Sequence, residues 1–110
     1  MRKKIHSYLG FARRSGNLLT GYNTCIQAMN KRKLKLLILA NDLSENTLKK
    51  MIAESEKNKV PYRVYGKADD ISRITGCEGR GIFGIICENF SNIIAKEIDE
   101  TRSQEEEVFE

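Results

Sequence analysis

The 110-residue chain is about one domain long, and its 40 % hydrophobic composition supports one core but would leave two separate halves marginal. No run of about 18 apolar residues exists and the start Met1-Arg2-Lys3-Lys4 leads into no secretory-type stretch, so a cytoplasmic protein without a membrane partner is expected. The net charge of +4 conceals an asymmetry: residues 1–96 carry 18 basic and 8 acidic groups, net +10, and no Asp or Glu precedes Asp42.

In chain order, Ile5, Tyr8, Leu9 and Ala12 recur at helical spacing, with Arg13 and Arg14 in the last turn and Gly16 placed to stop a helix over about 3–14. Leu18-Leu19-Thr20 reads as a short buried strand. Tyr22, Ile26 and Met29 then repeat with helical period and are expected to face inward, in a helix that ends in Lys31-Arg32-Lys33. Leu34–Ala40 is apolar throughout except for Lys35 and too short for a helix, which predicts a strand buried on both faces at the centre of a sheet. Asn41-Asp42-Leu43-Ser44 offers loop and N-cap chemistry before a helix that carries Leu48, Met51 and Ile52 on one face and ends near Lys57-Asn58.

Tyr62–Tyr65 follows as a strand near a sheet edge, with Pro61 at its start where a missing N–H does least harm. Lys67–Thr75 is a short helix stopped by Gly76, Ile82–Cys87 the last strand, and a final helix carries Phe90, Ile93, Ile94 and Ile98. Residues 101–110 read as a frayed acidic tail. Strands alternating with helices predict an α/β protein, a three-layer α/β/α sandwich, with one domain over residues 1–100 and the acidic C-terminal tail over 101–110.

Little in this chain suggests catalysis. Cys25, Cys77 and Cys87 form an odd set without C-x-x-C spacing, and His6 has no paired acid, so reduced thiols and no metal or cofactor are expected. Gly79-x-Gly81-x-x-Gly84 matches the dinucleotide fingerprint as a string, but its third glycine falls inside a predicted strand where a helix start is required. A pliant loop that lets backbone approach a ligand is the better use of these glycines. Asp69-Asp70 is suited to the first turn of a helix, where carboxylates are favoured.

The basic body attracts polyanions, because neutralising phosphates releases condensed counterions, although solubilising surface charge gives the same composition. Gly21 opens a helix on which Asn23, Gln27 and Lys31 stand four apart on one polar face. Helix-start N–H groups suit a phosphate, and Asn or Gln amides can donate to and accept from a base edge. An ordinary solvated face has the same pattern, and the adjacent Lys31-Arg32-Lys33 tips the reading toward nucleic acid.

Gly21-x-Asn23 opening a helix, the basic turn after it, the strand up to Ala40 followed by Asn41-Asp42, and Val60-Pro61-Tyr62 together resemble the L7Ae-like superfamily of kink-turn-binding ribosomal proteins. Leu9-Gly10-Phe11-Ala12-Arg13-Arg14-Ser15-Gly16 resembles its bacterial YlxQ-type branch, and the likeness covers roughly residues 5–98. The resemblance implies an α/β/α sandwich of the L7Ae/L30e type, with a small mixed sheet, that binds kinked RNA. The family's Gly-x-Asn-Glu-x-x-Lys segment corresponds here to Gly21, Asn23, Thr24 and Gln27, so Thr24 stands for the acid and Gln27 for the cation; both can still hydrogen-bond. The family's Ala-Glu-Asp after the central strand corresponds to Ala40-Asn41-Asp42, and its selectivity loop to about Gly76–Gly81, with Arg80 as a phosphate or base contact.

The expected function is therefore non-enzymatic binding of structured RNA, ribosomal or ribosome-associated, by a monomer. Gly21, Asn23, Thr24, Gln27, Lys31 and Arg32 would form one side of a cleft, and Asn41, Asp42, Gly79 and Arg80 complete the candidate site. The alternative, motivated by Thr24, Gln27 and the acidic Glu105-Glu106-Glu107, is a protein-interaction module that keeps the fold without specific RNA recognition. A small nucleotide-binding enzyme would rest on the glycine string alone.

Overall fold

A computed structural model describes the backbone of residues 3–77 and 81–108 and the side chains of 4–77 and 81–101. The elements run α1 (Lys3–Arg14), β1 (Leu18–Thr20), α2 (Tyr22–Asn30), β2 (Leu36–Leu39), α3 (Glu45–Lys57), β3 (Tyr62–Val64), α4 (Ala68–Thr75), β4 (Ile82–Ile85) and α5 (Glu88–Val108). The four strands form one mixed sheet in the order β1-β4-β2-β3. β2 runs parallel to β3 and antiparallel to β4, which is antiparallel to β1. β2 is thus an inner strand and β3 an edge, as their sequences predict.

Strand periodicity divides the core in two, because alternate residues leave opposite faces of a sheet. Leu36, Ile38, Phe83 and Ile85 pack with Ile5, Leu9, Ile71, Ile94 and Ile98 from α1, α4 and α5. Leu37, Leu39 and Ile82 pack with Cys25, Ala28, Met29 and Met51 from α2 and α3. Those two helix layers and the sheet between them make the three-layer α/β/α sandwich.

Two glycines of the 79–84 string serve this packing. A Cβ on Gly84, in the middle of β4, would collide with the Leu34 side chain and approach Cys25 Sγ, so the missing side chain lets α2 lie close to the sheet. A Cβ on Gly81 would lie 2.5 Å from Leu43 Cδ2 and 3.3 Å from Ala40 Cβ. Gly79 lies outside the described residues.

Three further expectations change. Tyr22 is 41 % exposed rather than inward, because the buried stripe of α2 is Cys25, Ala28 and Met29, and the first turn stands at the end of the sheet. Ile93 is 39 % exposed, lying off the stripe of Ser91, Ile94 and Ile98. Instead of fraying after residue 100, α5 continues to Val108 through a Glu/Gln-rich run of good helix formers.

Candidate nucleic-acid interface

Three helices begin at the end of the sheet where β1, β2 and β3 finish and β4 starts. The Gly21 N–H donates to the Ile82 carbonyl at 2.9 Å, the Ala40 N–H to Gly81 at 2.8 Å, and the Asn41 N–H to Gly66 at 2.8 Å. These bonds bring the starts of α2, α3 and α4 onto one rim with the residue that closes the 76–81 segment. Gly21, buried with φ 97° and ψ 157°, holds a backbone conformation that residues with a Cβ rarely adopt.

The three helix starts are finished differently. Ser44 Oγ accepts from the Thr47 N–H at 3.2 Å and caps α3, whose first turn also carries Glu45. Asp42 Oδ1 accepts from the Ala68 N–H at 3.0 Å and serves α4, whose first turn carries Asp69 and Asp70. α2 has neither a side-chain cap nor an acid in its first turn. Its opening N–H groups form the electropositive helix end on this rim that no side chain of the cap satisfies.

Beside that end, Asn23, Thr24 and Gln27 are exposed, as is Asn41 across the rim. The structure therefore brings together Gly21, Asn23, Thr24, Asn41 and Asp42 from the expected site, with Gln27 one turn along the helix. Asp42 has a structural partner in Ala68. Lys31 and Arg32 are not brought to the rim. Lys31 is the C-cap of α2 and Arg32 follows it, so the nine-residue helix, about 13 Å long, separates them from Gly21. Gly79 and Arg80, expected on the other wall, lie outside the described residues.

Sequence reading misses the contrast in capping. Ser44 is legible as a cap, but only the fold shows Asp42 reaching a helix 26 residues further on while α2 goes without.

A groove elsewhere, between α5 and the starts of β2 and β3, has mixed charge. Lys35, Arg63 and Lys96 face Asp99 and Glu100, and the Arg63 guanidinium is held by Asp99 at 2.9 Å. Three cations against two acids, with Arg63 already paired to Asp99, leave this surface only weakly positive. Among the described residues no group of three His, Cys, Asp or Glu could hold a metal ion, and no helix is long and apolar enough to cross a membrane. Burial pushes the Cys25 thiol up to about 12, away from thiolate chemistry.

Residues 3–95 match the ribosomal protein L7Ae/L30e/S12e/Gadd45 family. The RNA-binding protein YlxQ of Enterococcus faecium is 35 % identical over 91 residues, covering 82 % of this chain and 86 % of the relative. Its counterpart from Bacillus subtilis (strain 168) is 29 % identical over 91 residues, covering 83 % and 91 %. A Bacillus halodurans protein of unknown function superposes with a TM-score of 0.85 at 31 % identity, covering 89 % of this chain and 99 % of that one. The Giardia lamblia 15.5kD RNA binding protein shares the fold, with a TM-score of 0.71 at 15 % identity over 94 % and 92 % of the two chains. By its sequence and its sandwich, the chain belongs to the ribosomal protein L7Ae/L30e/S12e/Gadd45 family, in the YlxQ-type branch.

Proposed function

We propose that this protein binds structured RNA of the kink-turn kind, ribosomal or ribosome-associated, in the cytoplasm and as a monomer, without catalysing a reaction. The observation that carries this reading is the start of α2: the one of three helix ends on the rim without a capping side chain or an acidic first turn, flanked by exposed Asn23, Thr24 and Gln27. A phosphate can take the free N–H groups, and the amides can read base edges. RNA binding in relatives at 35 % and 29 % identity supports the same partner class.

Labelled kink-turn RNA and an unkinked duplex of equal length, titrated across salt concentrations, test it. The wild type should prefer the kink. The Asn23→Ala, Arg80→Ala double variant should lose about tenfold or more of that preference, since a bidentate amide contact discriminates by roughly 1–3 kcal/mol. Equal, steeply salt-dependent binding to both RNAs would reduce the site to a basic surface. Thr24 and Gln27, standing where the family pattern has an acid and a cation, favour a second reading, a protein-interaction module. Absence of binding to either RNA at low salt would select it.

A further inference from the structure

The ends of the helices carry an irregularity that the rim does not use. α1 and α4 finish on Gly16 and Gly76 in the left-handed conformation, at φ 77° and 74°. α2 and α3 finish through the same kind of turn with cations in that position, Arg32 at φ 59° and Lys59 at φ 58°. The Arg32 and Lys33 N–H groups donate back to Met29 and Ala28, and those of Lys59 and Val60 to Glu56 and Ser55, so both are Schellman endings with a cation where glycine is preferred.

A left-handed residue with a Cβ is unfavourable, and attraction between a cation and the negative helix end does not require it. α1 shows the relaxed solution in this same chain, with Arg13 and Arg14 in its last turn and Gly16 beyond them. The two strained cations share one depression. Arg32, Lys35, Lys57 and Lys59 line it, Asn30 adds a neutral amide, and no acid lines it. None of the four cations has a carboxylate within ion-pair distance among the described residues. The depression lies where β2 and β3 begin, since the Lys35 N–H donates to Ile85 and the Leu37 N–H to Pro61, which is the end of the sheet away from Gly21.

We infer that this depression is a second RNA contact, one that holds the phosphodiester backbone of a segment flanking the RNA seated at the rim. It rests on the RNA-binding reading above. Arg32, Lys57 and Lys59, with Lys35 on the border between this depression and the groove of Asp99 and Glu100, put four cations on a lining that holds no acid and can neutralise phosphates, and the stripe Asn23-Gln27-Lys31 along α2 joins the two ends. The lining is more polar than apolar and has no aromatic platform, which suits backbone rather than bases.

The test compares wild type with the Lys35→Gln, Lys57→Gln, Lys59→Gly variant on the same kink-turn RNA, with one arm lengthened, and on the plain duplex. Glycine at position 59 relieves the strained turn, so a thermal midpoint at or above that of the wild type excludes unfolding as the cause of any weakening. The slope of log affinity against log salt should fall in magnitude by about 2, at roughly 0.7–0.9 for each phosphate left without its cation, while the ratio of kink to duplex binding stays unchanged. An unchanged slope overturns the second contact even where the wild type prefers the kink. A wild type without kink preference whose slope still falls on substitution overturns the rim reading and leaves the second contact standing. An unchanged RNA slope combined with abolished binding to a poly-glutamate peptide assigns the depression to an acidic protein and overturns the proposal.

Discussion

Cys25 shows how one residue ties packing to chemistry. It sits fully buried on α2 against Gly84, and burial raises its pKa from 9.0 to about 12 because a thiolate there would lose its solvation. The native state thus keeps a proton that the unfolded chain releases first. Its contribution to stability is complete below pH 9 and is lost as pH rises from 9 toward 12, at up to about 1.4 kcal/mol per pH unit. Chemical denaturation across that window should show the decline, and Cys25→Ala should flatten it. At neutral pH, alkylation of the native protein followed by mass spectrometry should modify Cys77 and Cys87, which are only partly buried, well before Cys25.

At the scale of elements, helix ends decide what the rim can do. Ser44 gives α3 a side-chain acceptor for the Thr47 N–H, and replacing it with alanine should cost about 1 kcal/mol, measurable as a lower denaturation midpoint without loss of RNA affinity. α2 opens on Gly21 with no such acceptor, so its stability comes from Cys25, Ala28 and Met29 packed on the sheet. A helix held by its middle can leave its first turn for a ligand. Most of this is legible in spacing. The stops at Gly16 and Gly76, the cap at Ser44 and the buried strand at Leu36–Leu39 are local, and periodicity or turn chemistry reveals them. Tyr22 departs from its spacing because periodicity reports the angle of a side chain around its helix, not whether the sheet reaches far enough to cover it.

The whole molecule sets a basic body against an acidic final stretch. From Glu97 to Glu110 there are seven acids and one base, and α5 carries this run on to Val108. If the run masks the basic surface, a chain ending at residue 100 should bind RNA several-fold more tightly at low salt. The gain should shrink as salt rises, since the Debye length falls from about 10 Å at 0.1 M to 3 Å at 1 M. Equal affinity of the two chains at low salt would show that the run does not compete with RNA.

By itself the sequence determined the element order, the two-faced core and the start of α2 after Gly21, because hydrophobic period, caps and a left-handed glycine act within a few residues. It could not supply the strand order β1-β4-β2-β3, in which Gly21 meets Ile82 and Ala40 meets Gly81. Those pairings bring Asn41 onto the same rim as Asn23, commit Asp42 to α4, and send Arg32 to the other end of the sandwich with Lys59. The reason is physical: hydrogen bonds between strands form across any sequence separation, so nearness along the chain does not determine nearness in space. A cluster such as Lys31-Arg32-Lys33 acquires its place only when the sheet assembles.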